Sequence, residues 1–202
     1  DPNDAYFYTS GRASNEAAYL WQLLARQYGT HSLPGCSHMC HESSGVALNE
    51  SIGIGKGTVR LEDFDKADLI VVVGQNPGTN HPRMLSALKS AKKSGASILS
   101  INPLKETGMR RFRHPQSPID MLGAGTQISD DHVDIKVNGD MALFRAIGSI
   151  ILDKGVHDMD FINLNTTGFL DYANIAKAVD WDLTEDLTGQ SRDRIYEISD
   201  YF

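Results

Sequence analysis

Apolar residues near the middle of the chain form two kinds of pattern, unbroken runs and helical spacing. Leu69–Val73 is an unbroken run of aliphatic residues, which is typical of a strand covered on both faces. Met84–Ser94 then carries apolar residues at helical spacing, and Ser97–Ile101 is a second strand-like run. A strand, a helix and a strand in this order predict a βαβ unit, and such units assemble into open parallel sheets.

Ahead of this unit the sequence predicts one more strand and two helices. Tyr6–Thr9 is strand-like and is followed by a glycine turn at residues 10–12. Asn15–Tyr28 carries apolar residues three and four positions apart, and a second helical pattern covers residues 41–52. The glycine-rich segment 53–57 follows a helix instead of a strand, so it lacks the context of a dinucleotide-binding fingerprint.

After the βαβ unit, the regular spacing of apolar residues stops over residues 105–130 and resumes at residue 133. Residues 105–130 are rich in glycine, proline and basic residues and are too long for a routine connection, so we expect a functional loop. Residues 133–137 predict a third strand, and residues 141–152 predict a helix with Asp140 as its N-cap. Residues 158–202 show a series of short helical patterns.

Together these elements predict an α/β fold with a Rossmann-like, open and mainly parallel sheet flanked by helices. Residues 1–157 would form the α/β region, and residues 158–202 would form a helical extension leading into further sequence. The chain begins without a methionine and ends inside a helical pattern, so we expect it to be an internal piece of a longer protein.

The composition is that of a globular protein. With 202 residues, 41% of them hydrophobic and 22% charged, the chain can bury a substantial core. No apolar run approaches the roughly 20 residues of a membrane span, and no signal peptide is recognisable, so we expect a cytoplasmic protein. The net charge of −7 argues against nucleic acid as a partner, although the basic cluster at residues 110–114 could meet one anionic group.

The stretch from Cys36 to Gly45 carries the densest candidate chemistry. The two cysteines of the chain, Cys36 and Cys40, are too few for a disulfide scaffold, and their spacing fits a reduced, functional pair. Cys40 comes just before a helical pattern. There the unpaired N–H groups of a helix stabilise a thiolate, which is the form that binds a metal or attacks an electrophile.

Two other uses of this stretch remain open on the residues alone. A structural zinc site would draw on Cys36, His38, Cys40 and His41, although four ligands within six residues rarely close a tetrahedron. Covalent haem attachment, an electron-carrier function, would use Cys36, Cys40 and His41. The fit is poor, because the two thiols stand one residue further apart than in the C-x-x-C-H motif.

Three segments follow predicted strands at equivalent places, namely residues 74–80, 100–104 and 138–140. Ligands of open α/β sheets bind at the carboxyl ends of the strands, so we expect these segments to form a nucleotide pocket. Gly74 and Gly78 would let backbone N–H groups approach a phosphate closely. Side chains of the same segments could bond a ribose or a base edge, namely those of Asn76, Asn80, Asn102 and Asp140.

Several motifs along the chain, in their order and spacing, resemble the large subunit of molybdopterin oxidoreductases. They are Ser10-Gly11-Arg12 with Asn15-Glu16, the stretch Cys36–Gly45, Val73-Gly74-Gln75-Asn76-Pro77, Ser100–Leu104 and Asn138-Gly139-Asp140. The similarity covers nearly the whole chain from Tyr6 onward, and the combination is far more specific than any one motif. The branch that it resembles is that of formate dehydrogenase alpha subunits.

The resemblance implies a molybdenum-carrying bis(molybdopterin guanine dinucleotide) cofactor. Cys40 matches the catalytic thiolate ligand of molybdenum, and His41 matches a catalytic histidine near the substrate, where it would accept a proton or orient the substrate. Arg12 and Cys36 match positions that approach the pterin. The positions that match the guanine dinucleotide site are Val73, Gly74, Gln75, Asn76, Pro77, Gly78, Thr79, Asn80, Ser100, Ile101, Asn102, Pro103, Leu104, Asn138, Gly139 and Asp140.

The resemblance also implies a reaction, a two-electron oxidation of a small substrate with formate as the first candidate. Electrons would pass to a partner protein or subunit. Cys36 and Cys40 cannot ligate a [4Fe–4S] cluster, which needs four ligands, so such a cluster is expected only in sequence ahead of this segment. Asn102 and Leu104 stand where the family often has charged residues, and the segment 105–130 is long. These departures indicate a divergent branch and leave the substrate open.

Overall fold

The computed structural model describes the backbone of residues 1–202 and all side chains except those of Ile119 and Met121. Its elements are α1 (Asn15–Tyr28), α2 (Glu42–Ile52), β1 (Leu69–Val73), α3 (Pro77–Asn80), α4 (Met84–Ser94), β2 (Ser97–Ile101), α5 (Thr107–Arg110), α6 (Pro118–Leu122), β3 (Asp131–Val133), α7 (Asp140–Lys154), α8 (Met159–Asn165), α9 (Phe169–Lys177), α10 (Trp181–Thr188) and α11 (Arg192–Ser199). Short 3-10 helices cover Pro2–Asp4 and Leu61–Lys66. The chain divides into two compact units, residues 1–59 and residues 60–202.

The first unit is built on α1 and α2, which confirm the two predicted helices. The Ser14 hydroxyl caps α1 by accepting a hydrogen bond from Ala17 N at 3.2 Å, and Gly29, with a left-handed φ of 101°, is the C-cap of α1. α2 begins one residue later than the predicted helix, ends at Ile52 as predicted, and has Gly53, with a φ of 77°, as its C-cap.

The predicted strand at Tyr6–Thr9 is wrong, because this segment forms no strand in the part of the chain that the structure describes. Phe7 N donates a single hydrogen bond to Ser32 O at 3.0 Å. The Phe7 ring packs against Trp21 and Tyr28, with ring centroids 5.5 and 5.4 Å apart. Aromatic packing on α1, and not sheet pairing, therefore accounts for Phe7.

In the second unit, β1, β2 and β3 form one parallel sheet in that order, with helices on both faces. This confirms the predicted α/β fold. The register pairs Val73 with Ile101 and Ile101 with Val133. β1 and β2 have the predicted bounds, because each aliphatic run has a partner strand along its whole length.

β3 differs from the strand predicted at residues 133–137, which is wrong at both ends. The strand covers Asp131–Val133, since β2 ends at Ile101 and offers no partner beyond the last residue of β3. The chain that follows turns toward α10 instead, where Lys136 N donates to Thr188 O at 3.0 Å.

Each face of the sheet has its own core. Ile98 and Leu88 belong to a fully buried cluster on the side of α4. Leu99, Leu143 and Ile195 belong to a second cluster on the side of α7 and α11. Alternate residues of one strand point to opposite faces, so β2 supplies both clusters.

The segment 105–130 is folded, in contrast to the loop that its composition suggests. It contains α5 and α6, and Phe112 and Thr126 form an isolated antiparallel bridge with two hydrogen bonds of 2.8 Å. Lys89 of α4 forms an ion pair with Asp120 of α6. The hydrogen bond from Lys89 holds the pKa of Asp120 below its ordinary value.

The last helices belong to the second unit, in which α9, α10 and α11 pack against α7. Trp181 stacks on Tyr196 with ring centroids 5.8 Å apart, and the Arg192 guanidinium lies 4.4 Å from the centre of the Trp181 ring. α11 adds Ile195 and Ile198 to the core on its side of the sheet. The proposed boundary between residues 157 and 158 stays a prediction. Among the described residues, no helix combines the length and apolar character needed to cross a bilayer.

Candidate functional site

The two thiols lie in consecutive tight turns immediately ahead of α2. Met39 N donates to Cys36 O and Cys40 N donates to Ser37 O, both at 3.2 Å. Glu42 N, at the first residue of α2, also donates to Ser37 O at 3.1 Å. These bonds place Cys40 close to the helix N-terminus, in agreement with the sequence. Both cysteines are free, with Cys40 exposed and Cys36 half-buried.

The histidines of this stretch contact residues in the first turn of α2. His38 Nε2 lies 3.1 Å from Glu42 Oε2, and His41 Nδ1 lies 3.5 Å from Ser44 Oγ. Among the residues that the structure describes, no three His, Cys, Asp or Glu side chains are arranged to hold a metal ion.

The glycine turn at residues 10–12 lies against the first cysteine. A Cβ atom on Gly11 would stand 3.2 Å from Cys36 Sγ, a tight contact that glycine avoids. Ser10 Oγ accepts a hydrogen bond from Arg12 N at 3.2 Å, and the Arg12 side chain is exposed. Two of the segments singled out from the sequence therefore meet in the first unit.

At the carboxyl edge of the sheet, Gly74, Asn102 and Asp134 directly follow the three strands. Gly74 N donates to Ile101 O at 2.9 Å, and Asn102 N donates to Val133 O at 3.1 Å. Gly74 has a left-handed φ of 61°, and a Cβ atom built on it would meet nothing within 4 Å. The open space beside this backbone gives a ligand room for close approach.

Asn76 organises the loop that follows β1. Its Oδ1 atom accepts a hydrogen bond from Thr79 N at 3.2 Å, which caps α3 ahead of Pro77. Its Nδ2 atom donates to Glu106 Oε2 at 2.7 Å. Asn76 therefore joins the loop after β1 to the loop after β2.

The short helices α3 and α5 touch through two glycines. A Cβ atom on Gly108 would stand 3.0 Å from Gly78 Cα and 3.3 Å from Leu85 Cδ1. A Cβ atom on Gly78 would stand 3.2 Å from Gly108 Cα. The contact accounts for a glycine at position 78 by packing alone, and the phosphate contact expected there stays a prediction.

The segment after β2 is held largely by its own side chains. Asn102 is 8% exposed and donates from Nδ2 to Leu104 O at 2.8 Å. Ser100 is 2% exposed, and its Oγ lies 3.3 Å from His132 Nδ1. Pro103 and Leu104 are exposed. Of the five residues at positions 100–104, these two are the ones that a ligand can reach most easily.

No spacing in the sequence marks His132, yet this residue links the ends of two strands. Its Nδ1 atom faces Ser100, and its Nε2 atom lies 2.8 Å from Asp134 Oδ1. Lys105 Nζ lies 3.7 Å from the other oxygen of Asp134. Ser100 and His132 are register partners in the β2–β3 pair, and this pairing brings their side chains together. A correct prediction of the strand register would therefore have identified His132.

Residues 138–140 turn into α7. Asn138 has a left-handed φ of 68°, and a Cβ atom on Gly139 would stand 2.8 Å from Leu187 O. The predicted N-cap role of Asp140 is wrong, because Gly139 is the N-cap and Asp140 is the first helical residue. The half-buried Asp140 carboxylate forms no hydrogen bond with any described group, so it is available to a ligand.

Comparison with known proteins identifies the class to which this fold and these motifs belong. The family model described as molybdopterin oxidoreductase matches residues 1–180, and the chain belongs to that family. It is 51% identical over 93% of its length to an uncharacterized oxidoreductase of Mycobacterium tuberculosis and 44% identical over 100% of its length to protein YdeP of Escherichia coli. Identity to formate dehydrogenase H of Escherichia coli is 29%, over 93% of this chain.

The match covers 25%, 28% and 24% of these three proteins, so the chain spans about a quarter of their length. Among solved structures, acetylene hydratase from Pelobacter acetylenicus matches 87% of this chain and 21% of its own chain, with a TM-score of 0.61 and 17% identity. This structural likeness supports the fold. The family that the sequence motifs resemble is confirmed.

Proposed function

We propose that the chain supplies the protein ligand of molybdenum and part of a guanine dinucleotide site in an oxidoreductase that acts on a small substrate. The observation that carries the proposal is the free, exposed thiol of Cys40 ahead of α2, in a chain of the molybdopterin oxidoreductase family. Family membership implies a molybdenum–pterin cofactor. Its bis(molybdopterin guanine dinucleotide) form is part of the proposal.

The residues present suit such a cofactor. Cys40 is a free and exposed thiol immediately ahead of α2, and its sulfur is a soft donor of the kind that binds molybdenum. The open backbone at Gly74 leaves room for a phosphate, and the Asp140 carboxylate could accept N–H bonds from guanine. Both features lie in the segments that resemble the dinucleotide-binding loops of the family.

When bound, the cofactor supplies the acceptor for the two electrons that leave the substrate. Cys40 would hold the metal through Sγ. His41 follows it directly and would accept the substrate proton or orient the substrate, and the Ser44 hydroxyl, 3.5 Å from Nδ1, would help to orient the ring. Arg12 and Cys36 would line the pterin, at the contact between the glycine turn and the first thiol.

Formate is the substrate to test first, because formate dehydrogenase H is among the relatives of the chain. The higher identities to protein YdeP and to the mycobacterial oxidoreductase support a separate branch. Electrons would pass to a partner protein or subunit, through a [4Fe–4S] cluster in other parts of the parent protein, in the cytoplasm.

Replacing Cys40 with Ser in the full-length parent protein tests the metal ligand. A hydroxyl has a much higher pKa than a thiol and is a poor ligand here. We therefore expect the molybdenum content, measured by mass spectrometry, and dye-coupled formate oxidation to fall to background while the circular dichroism spectrum is kept. Cys36→Ser is the matched control and should lose less of both. Equal losses from the two variants, together with loss of bound zinc, would point to a structural zinc site.

The isolated 202 residues should catalyse nothing, because they correspond to about a quarter of the length of the relatives. Purified chain would be mixed with formate and an artificial dye acceptor, with the full-length parent as the positive control. Turnover by the isolated chain would refute this expectation.

A further inference from the structure

A cleft beside β3 carries basic groups that the proposed function does not use. It has a volume of about 710 Å³, and its lining includes Lys105, Arg110, Arg111 and His132. The lysine and the two arginines are exposed and come from the segment that follows β2. Arg110 and Arg111 belong to the basic cluster in which the sequence indicated a contact with one anionic group.

The carboxylates that line this cleft are already paired with cations. Asp130 forms an ion pair with Lys92 and accepts a hydrogen bond from Ile98 N at 2.8 Å. Asp131 forms an ion pair with Arg194. The negative charge at the cleft is therefore largely compensated from the surrounding elements.

The arginines of the cleft, in contrast to its carboxylates, have no partner of opposite charge among the described groups. Neither Arg110 nor Arg111 forms an ion pair or a side-chain hydrogen bond with any group that the structure describes. Lys105 lies 3.7 Å from Asp134, and both side chains are more than half exposed, so this pair compensates little charge. In a chain with a net charge of −7, the cleft is a local concentration of positive charge.

The wall of the cleft is held in place before any ligand binds. Gln127 Nε2 donates to Ser129 O at 3.0 Å, and Ser129 Oγ donates to Met109 O at 3.1 Å. Both ring nitrogens of His132 face a partner within 3.3 Å. A site with a preformed wall loses little conformational freedom when it binds a ligand.

We propose that this cleft binds a phosphate group, held by the guanidinium groups of Arg110 and Arg111 and by the Lys105 ammonium. Planar guanidinium groups bond two phosphate oxygens at once, and a phosphate dianion matches several cations better than a carboxylate does. The phosphate belongs either to the dinucleotide of the cofactor, an assignment that rests on the proposed function, or to a separate small molecule, which does not. The proposal depends neither on Cys40 nor on turnover.

Calorimetric titration of the full-length parent with inorganic phosphate at low ionic strength tests the cleft. In an Arg110→Gln, Arg111→Gln double variant, the dissociation constant should rise about tenfold or more, because two charge-assisted contacts are lost. Arg113→Gln is the matched control. It removes the same charge from an exposed arginine of the same segment that does not line the cleft, and it should leave the affinity unchanged.

The cofactor-loaded and cofactor-free forms of the parent distinguish the two sources of phosphate. Binding to the cofactor-free form alone, with cofactor lost from the double variant, assigns the cleft to the phosphates of the cofactor. Binding to the loaded form assigns it to a separate phosphate-bearing molecule. The proposal is overturned if neither form binds phosphate, if Arg113→Gln weakens binding as much as the double variant, or if acetate binds as tightly as phosphate.

Discussion

Asp140 is the residue that best tests whether the carboxyl edge of the sheet holds a nucleotide. Because Gly139 is the N-cap of α7, Asp140 contributes to helix stability only through the helix dipole, which is worth about 0.3–1 kcal/mol. A carboxylate that accepts two N–H bonds from guanine gains about 1.5–3 kcal/mol from each. Removing both bonds should therefore weaken cofactor binding by about two to four orders of magnitude.

The assay compares Asp140→Ala and Asp140→Asn in the full-length parent. Guanine nucleotide released by acid and counted per chain should fall toward zero in both variants, while the free energy of unfolding changes by about 1 kcal/mol or less. Asp153→Ala is the control, since it removes an exposed carboxylate near the other end of the same helix. An alanine variant that keeps its full content of guanine would remove Asp140 from the binding site.

Two further predictions concern the stability of the second unit. Lys89 holds the pKa of Asp120 below its ordinary value, so their pair stabilises the fold fully above about pH 4 and loses this effect as the pH falls through the lowered pKa. Asp120→Asn should therefore flatten the loss of stability in acid, measured by urea unfolding at several pH values, and an unchanged slope would contradict the pairing. Gly108→Ala should cost about 1–3 kcal/mol, because its Cβ would press on neighbouring backbone, whereas Gly57→Ala, with nothing within 4 Å, should cost less than about 0.5 kcal/mol. Equal unfolding midpoints for the two alanine variants would rule out the close contact.

Elements whose stability is local could be predicted from the sequence. α1 and α4 have the predicted bounds, because amphipathic spacing and a terminal glycine act within one segment. The bounds of β3 differ from the predicted residues 133–137 because its length depends on where β2 ends, and that is a property of another strand. The pattern at residues 6–9 predicts a strand wrongly, because residue type does not show that Phe7 packs on the aromatic rings of α1 instead of pairing with another strand.

In the candidate site, too, features that depend on neighbouring residues could be predicted from the sequence, and contacts between residues far apart in the sequence could not. The position of Cys40 ahead of α2 follows from neighbouring residues, and the sequence places it correctly. The contact between Ser100 and His132 joins residues that are 32 positions apart, and the strand register alone brings them together. The internal role of Asn102 likewise depends on burial, which residue type does not reveal.

Ile98 and Leu99 are joined by one peptide bond, yet they belong to cores on opposite faces of the sheet. Substitutions that share a cavity affect each other, whereas those on separate sides of a sheet act almost independently. The basic cleft is anchored on the Ile98 side through Met109 and Ile128, and the helix that begins at Asp140 is anchored on the Leu99 side. Related proteins can therefore alter the sequence around one of these sites during evolution while the packing that supports the other is left unchanged.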